Sequence, residues 1–323
     1  MRAIQVVTTT GPGDVVVNEV PEPTPAEHEV LVDVHTVGVS FPDLLLSRGE
    51  YQLRPDPPFT LGVDFAGTVV SGPGFARGDR VAGVFAYGGA AERVAMSPDY
   101  LFALPEEIDF KAAAALPMNY LTALFALEER GGLRPDETVL VHGAAGGVGT
   151  ASLQVARALG ARTIAVVSTE EKAAFARAAG AHETVLAEGF RDAVRELTGG
   201  RGVDVVLDVV GGDSFTDSLR SLAPQGRVLV VGFAAGQGIP EVKVNRLLLN
   251  NVDVRGVGWG AYAFATPGYL QQQWARLLPM ITAGHVRPPI GKVYAAEEFA
   301  RALQDMDDRA ALGKLVVRLR GAA

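Results

Sequence analysis

The stretch that most constrains this chain is Gly143-Ala144-Ala145-Gly146-Gly147-Val148-Gly149. An apolar run, Val139-Leu140-Val141-His142, leads into it, and Thr150 to Gly160 follows with helical spacing and a closing glycine. A strand that turns this tightly into a helix leaves free backbone N–H groups and the positive end of the helix dipole at one point. Residues as small as Ala145, Gly146, Gly147 and Val148 let an anion approach that backbone. Gly146 is expected to admit the anion and Gly149 to let the helix lie on the strand, with Ala144 standing where the usual dinucleotide fingerprint has its first glycine. A merely tight turn is the competing reading. The strand before, the helix after and a second strand at the right distance favour a dinucleotide site.

The rest of the chain supports that frame. Apolar runs expected as strands span 138–142, 162–167, 203–209, 227–232 and 252–257, and helical patterns fill 147–159, 170–179, 190–197 and 214–222. Near-continuous apolar strands alternating with helices are the mark of a parallel, doubly wound α/β sheet. Before Asp99 the texture differs. Short runs such as Glu29-Val30-Leu31-Val32-Asp33-Val34 and Gly67-Thr68-Val69-Val70 are separated by Pro and Gly, which predicts a small β-barrel. A helix is expected from Asn119 to Arg130, and after Tyr262 come helices over 270–283 and 296–307 and a strand over 314–319. At 323 residues the chain exceeds the usual single core, so two domains are expected.

Composition removes several functions. A net charge of -8 without a basic cluster argues against nucleic acid. No apolar run approaches the length of a membrane span, and the opening Met1-Arg2-Ala3-Ile4 enters a strand without the features of a signal peptide, so a cytoplasmic location is expected. The absence of cysteine rules out disulfides, thiolate zinc sites and thiol nucleophiles. The five histidines, at 28, 35, 142, 182 and 285, have no close pair at metal-binding spacing, so no metal is expected. His142 is read as a packed core residue rather than a proton donor.

The end of the second strand of the doubly wound sheet distinguishes two cofactors. An NAD site places Asp or Glu there to bind the ribose 2′-hydroxyl, whereas this chain has Val166-Val167-Ser168-Thr169 with Lys172 just behind. Two hydroxyls and an ammonium suit a 2′-phosphate, which predicts NADP(H). Ser168 and Thr169 also fit a helix cap, and both roles are compatible.

These residues, together with Val37-Gly38-Val39-Ser40-Phe41-Pro42-Asp43, Gly62-Val63-Asp64-Phe65-Ala66-Gly67, Gly78-Asp79-Arg80-Val81, Leu121-Thr122-Ala123 and Asp208-Val209-Val210-Gly211-Gly212, resemble the zinc-independent quinone oxidoreductase (zeta-crystallin-like) family of the medium-chain dehydrogenase/reductase superfamily. The resemblance covers essentially the whole chain. It implies an α/β protein with a GroES-like β-barrel catalytic domain over 1–118 and 259–323, and a Rossmann domain over 119–258. Zinc-dependent relatives hold their metal with residues that fall at Ser40 and, after Gly62, at Val63-Asp64, so metal-free chemistry is implied here.

Without a Lewis acid, the implied reaction is hydride transfer from NADPH to quinones or other conjugated carbonyls, with hydrogen-bond donors stabilising the carbonyl oxygen. Tyr51 and Ser40 are the implied catalytic donors. One of the family's two active-site tyrosines falls at Leu45, and a purely packing role for Tyr51 stays open. Asp64 is read as a supporting residue. Asn119 and Thr122 match positions that contact the nicotinamide ribose or carboxamide. Gly232 and Phe233 follow a later strand at the edge where ligands bind, and Lys314 matches an element near the cofactor phosphates, with plain surface charge as its alternative. Trp259 and Tyr262 fit either an aromatic wall or core packing. An enoyl-thioester or alkenal double-bond reductase and an NADPH-binding protein with little turnover are the alternative functions. The family also implies a homodimer through the outer Rossmann strand, near Asn251 to Gly258.

Overall fold

The computed structural model describes residues 1–320, and the chain folds as two units. The first holds Met1–Asn119, Thr266–Ala275 and the stretch from Pro288; the second holds Tyr120–Ala265 and Arg276–Arg287.

The first unit is β-rich. Its spine is the strand Val30–Val39, which pairs antiparallel with Asp64–Ser71, Arg93–Met96 and Lys314–Arg318. The sequence shows why this strand changes character midway. From Val30 to Val34 the valines are buried while Leu31 and Asp33 stay half-exposed, the period-2 pattern of a one-sided strand. From Thr36 to Val39 every residue is buried, so this end runs through the interior and carries Ser40 with it. Arg80–Val84 and Leu101–Ala103 extend one side of the sheet, and Ile290–Ala295 extends the other by parallel pairing. A second sheet of three strands orders Val15–Glu19, Arg2–Val6 and Phe59–Thr60. Val32, Val34, Phe65, Leu101, Phe299 and Val317 belong to the shared apolar core.

The second unit is a six-stranded, wholly parallel sheet ordered Glu183–Leu186, Arg162–Val167, Thr138–His142, Val203–Asp208, Leu222–Val230, Asp253–Gly256. In chain order this is 3-2-1-4-5-6, the doubly wound arrangement whose direction reverses between the first and fourth strands. Every residue of Thr138–His142 and Val203–Asp208 is buried, as strands covered on both faces must be. The helices Gly147–Ala158, Glu170–Ala178, Phe190–Leu197 and Phe215–Arg220 lie where the periodicity predicts them.

Several elements differ from expectation. The edge strand Glu183–Leu186 and the short helix Asn245–Asn250 were not expected, and Leu222–Val230 starts five residues earlier than the apolar run at Arg227 suggests. Its opening holds Pro224-Gln225-Gly226, with Gln225 at φ 65°, so the local chemistry reads as a turn. The helical run from Pro117 to Arg130 is wound in part with the wider i→i+5 spacing on either side of Thr122–Leu124. Wide turns of this kind occur often at functional sites. Among the described residues no helix is long and apolar enough to cross a membrane.

Candidate active site

The glycine turn sits at the carboxyl end of the first strand of the parallel sheet. Gly143 takes the left-handed conformation at φ 61°, and a Cβ there would meet Val209 Cγ2 at 2.8 Å. The tight-turn glycine is therefore Gly143 rather than the position of Ala144, which is fully buried and donates from its backbone N to Val166 O at 3.3 Å. Gly149 has the packing role expected of it, since a Cβ would stand 2.2 Å from Gly143 O and 2.7 Å from Ala144 Cα. Gly146 caps the helix in extended conformation, and a Cβ on it would find only Gly143 O, at 3.4 Å. Nothing among the described residues thus requires glycine at 146. The N–H groups of Gly147 and Val148 open the helix, where no intrahelical acceptor exists for them.

At the end of the neighbouring strand, Ser168 and Thr169 are exposed. Thr169 caps the next helix by accepting from Lys172 N at 3.2 Å, which satisfies the bland expectation. The Lys172 ammonium meanwhile donates to Ser168 Oγ at 3.2 Å, so the two groups proposed for a 2′-phosphate lie side by side. No carboxylate precedes the helix: its acidic residues, Glu170 and Glu171, follow the cap in the first turn.

Two further strand ends reach the same sheet edge. Asp208 Oδ1 accepts from Val210 N and Gly211 N at 2.8 and 2.9 Å, which holds the turn after the fourth strand. Beyond the fifth strand, Gly232 is half-buried and Phe233 is 39% exposed. Thr122 is buried, and its Oγ1 is the buried side-chain polar atom without a hydrogen bond among the described residues. A helical threonine ordinarily donates back to the preceding turn, as Thr150 does to Gly146 O at 2.9 Å. A buried hydroxyl left without a partner is costly in a protein interior. Asn119, three residues earlier, is also buried.

His142 has the packed role expected of it. Its Nε2 meets Ser218 Oγ at 2.9 Å, its ring stands edge-on to Phe190 at 4.9 Å, and burial holds its pKa below the usual histidine range against the opposing pull of Asp208. Trp259 is buried against Phe264, in keeping with core packing, whereas Tyr262 is 47% exposed and stacks on Phe125.

In the β-rich unit, residues far apart in sequence converge on Ser40. The spine strand ends there and the helix Phe41–Ser47 begins. Lys314, on the strand beside the spine, reaches in with Nζ 2.6 Å from Ser40 Oγ and 2.5 Å from Asp64 Oδ2. Ser40 Oγ donates to Asp64 Oδ2 at 2.9 Å, and Asp64 Oδ1 accepts from Met118 N at 2.8 Å. Lys314 is only 3% exposed, so the surface-charge alternative fails. Asp64 is fully buried and supports both partners, as expected.

Asp43 is the member of this cluster that the sequence reading passed over. It is fully buried, and its carboxyl accepts from Ser40 N and Gly62 N, both at 2.9 Å. The signal was present: a serine followed three residues later by an acid marks a helix start. Burial pushes the Asp43 pKa up to about 7, with the two backbone N–H groups and Lys314 acting in the opposite direction. A carboxyl that titrates higher in the folded than in the unfolded state stabilises the fold most at low pH and loses that contribution as pH rises through its folded pKa. Stability should therefore decline between about pH 4 and pH 7 by more in the wild type than in Asp43→Asn. Chemical denaturation of both proteins across that range checks this, and parallel profiles would contradict it.

Tyr51 is half-buried and packs on the core of the same unit. Burial, with a smaller contribution from Asp43, raises its pKa. Its hydroxyl makes no hydrogen bond among the described residues, and Leu45, at the place of the second family tyrosine, offers none. No group of three or more His, Asp or Glu side chains suited to a metal occurs among the described residues.

A β-rich unit of this topology and a 3-2-1-4-5-6 parallel sheet in one chain define the class of GroES-like, Rossmann-type dehydrogenases. The alcohol dehydrogenase GroES-like domain matches residues 26–106, and the zinc-binding dehydrogenase domain matches residues 147–283. Bovine quinone oxidoreductase-like protein 2 is 40% identical over 92% of this chain and 87% of its own. A probable oxidoreductase from Mycobacterium abscessus superposes with a TM-score of 0.90 at 43% identity, covering 99% of both chains. The quinone oxidoreductase of Escherichia coli, solved with NADPH, superposes with a TM-score of 0.90 at 29% identity, covering 99% of this chain and 100% of that one. The chain belongs to the quinone oxidoreductase family of the medium-chain dehydrogenase/reductase superfamily.

Proposed function

We propose that this protein is an NADPH-dependent, metal-free reductase that delivers hydride to quinones or other conjugated carbonyls. The observation that carries the cofactor is the Ser168–Lys172 pair at the end of the second sheet strand, an ammonium and a hydroxyl where an NAD site has a carboxylate. The orphaned Thr122 hydroxyl fits the same cofactor, as a donor to its ribose or carboxamide beside Asn119. Ala145, Gly146, Gly147 and Val148 supply the backbone cradle for the pyrophosphate, and Gly232 and Phe233 flank it from a later strand end. The bound cofactor supplies a hydride. This chain's residues orient it, and Ser40 or Tyr51 donates to the acceptor's oxygen.

The metal-free reading rests on donor chemistry. Ser40 and Asp64 stand where zinc-dependent relatives have ligands, but both are engaged by the Lys314 ammonium, and Val63 between them has no donor. A hydride acceptor that needs no Lewis acid must already be electron-poor, which favours quinones and enones over simple ketones. We further propose a cytoplasmic homodimer paired through the outer strand Asp253–Gly256, which lies at the end of the sheet and has an unpaired edge.

The test is oxidation of NADPH and NADH over a panel of ortho- and para-quinones, enones and enoyl-thioesters. Quinones or enones with NADPH should be turned over fastest. Faster turnover with NADH would remove the cofactor assignment, exclusive use of enoyl-thioesters would move the substrate class, and tight NADPH binding without consumption on the whole panel would mean a binding protein.

A further inference from the structure

The buried ammonium of Lys314 demands a reason beyond folding. Taking one ammonium and its carboxylate partner out of water costs more than a pair of this size ordinarily returns, and apolar residues of the same volume usually serve the fold as well. Here the backbone is shaped to admit it. The Lys314 strand pairs with the spine so that Val316 lies opposite Gly38. A Cβ on Gly38 would stand 2.7 Å from Lys314 Cε and 2.1 Å from Ala114 O, so a glycine clears the path of the side chain toward Ser40.

The hydrogen bonds then fix what Ser40 can do. An ammonium only donates, so Ser40 Oγ accepts from Lys314 at 2.6 Å, and the hydroxyl's one proton must be given elsewhere. In the structure it goes to Asp64 Oδ2 at 2.9 Å. Asp64 does not depend on it, because Lys314 and Met118 N already bond its two oxygens. The Ser40 proton is thus free to turn to a stronger acceptor, with a positive charge directly behind it. Ser40 itself is 3% exposed, at the point where the spine strand gives way to the helix opened by Phe41, which is 37% exposed.

We propose that Lys314 acts through Ser40 as the electrophile of the reaction, in the part that a metal ion plays in zinc-dependent relatives, and that the acceptors are accordingly those whose reduction places negative charge on a carbonyl oxygen. The inference rests on the reductase reading above. As hydride from NADPH bonds to the acceptor carbon, the carbonyl π pair moves to oxygen. Ser40 gives its proton to that oxygen, Lys314 gives one of its own to Ser40 Oγ, and the amine regains a proton from water. One hydride and one proton are consumed, and the product is the enol of an enone or, for a quinone, the keto tautomer, which becomes the hydroquinone by moving a ring proton to its second oxygen through water. Lys314 is in this scheme a positioning residue for Ser40, with Asp64 holding its charge in place.

A stable phenolate mimics the charged oxygen without any turnover. The probe is 4-nitrophenol bound to the wild type in the presence of NADP+, with its ionisation read by absorbance between pH 5 and 9. Bound to the wild type, its pKa should lie about one unit below that of the free phenol, since an adjacent donor and cation favour the anion. The charged groups bonded to Ser40 are Lys314, Asp64 and, through its backbone, Asp43, with Tyr51 within electrostatic reach of Asp43, so the variants are compared at fixed Asp43 and Tyr51. Ser40→Ala should abolish the shift and lower kcat about 100-fold, with the KM for NADPH changed less than about threefold. Ser40→Thr should keep the shift. Lys314→Met should lose it, and if that variant fails to fold, the Ser40 pair decides. A bound-phenol pKa that is the same in wild type and Ser40→Ala, or no phenol binding at millimolar concentration, overturns the proposal. Quinone turnover that survives alongside such a result would leave the reductase reading standing. A Ser40-dependent phenol shift without any NADPH turnover would defeat that reading and keep the oxyanion site.

Discussion

Gly149→Ala is expected to cost about 3 kcal/mol of folding stability, whereas Gly146→Ala, three residues away in the same turn, should leave stability within about 1 kcal/mol of wild type and weaken NADPH binding on the order of 100-fold. The contrast follows from what each added methyl group would touch. At Gly149 it would meet backbone, Gly143 O at 2.2 Å and Ala144 Cα at 2.7 Å, and backbone cannot rotate away. The helix would have to lift from the first strand, and the roughly 1 kcal/mol that alanine gains over glycine inside a helix does not offset that. At Gly146 the methyl would meet only Gly143 O at 3.4 Å, an ordinary contact, with φ at -86° and no strain. The loss of a glycine cap and the stiffer unfolded chain are each worth a few tenths to 1 kcal/mol and act in opposite directions. What the methyl would obstruct is a ligand drawn up to the helix start. Thermal or urea denaturation gives the first quantity and an NADPH fluorescence titration the second. Wild-type affinity in Gly146→Ala would place the pyrophosphate somewhere other than this turn.

The same turn shows how far a sequence reaches. Its strand and helix were legible because a parallel strand buried on both faces must be apolar throughout, and Val139-Leu140-Val141 leaves little else to choose. The edge strand Glu183–Leu186 lacks that constraint. Only Val185 in it is buried, so its composition resembles a loop's. Conformation was harder to read than composition. Ala144 matches the fingerprint by position, yet the left-handed residue is Gly143, and which of two adjacent small residues turns depends on the register of the neighbouring strands.

The β-rich unit sharpens the point for chemistry. Ser40 and Asp64 were singled out from a family resemblance, but their partner Lys314 lies 274 residues beyond Ser40, and no local pattern reports a bond of that separation. Its burial could not be read either, because a lysine in Gly-Lys-Leu-Val-Val suits the start of any strand. Thr122 is the opposite case. The family resemblance implied a cofactor contact for it, and only the structure shows that its hydroxyl lacks the back-bond a helical threonine normally makes. A site built to receive a ligand is recognised by what it leaves unsatisfied, and sequence carries no record of that.

The cofactor assignment makes the second large prediction, an inverted preference in the double variant Ser168→Asp with Lys172→Ala. Removing the Lys172 ammonium takes away the proposed charged hydrogen bond to a 2′-phosphate, worth about 1.5 to 3 kcal/mol. The new carboxylate adds repulsion of about 1 kcal/mol at an exposed position and offers the ribose hydroxyl of NADH the acceptor that an NAD site provides. Together these should shift the ratio of kcat/KM for NADPH over NADH by about 100- to 1,000-fold, since each 1.4 kcal/mol is tenfold. The fold should not notice, because the helix cap is Thr169 Oγ1 accepting from the backbone N of residue 172, which neither substitution removes. The melting temperature therefore serves as the control. A ratio that stays at the wild-type value in a stably folded double variant would mean that Ser168 and Lys172 do not bind a 2′-phosphate, and the proposed preference for NADPH would lose the observation that carries it.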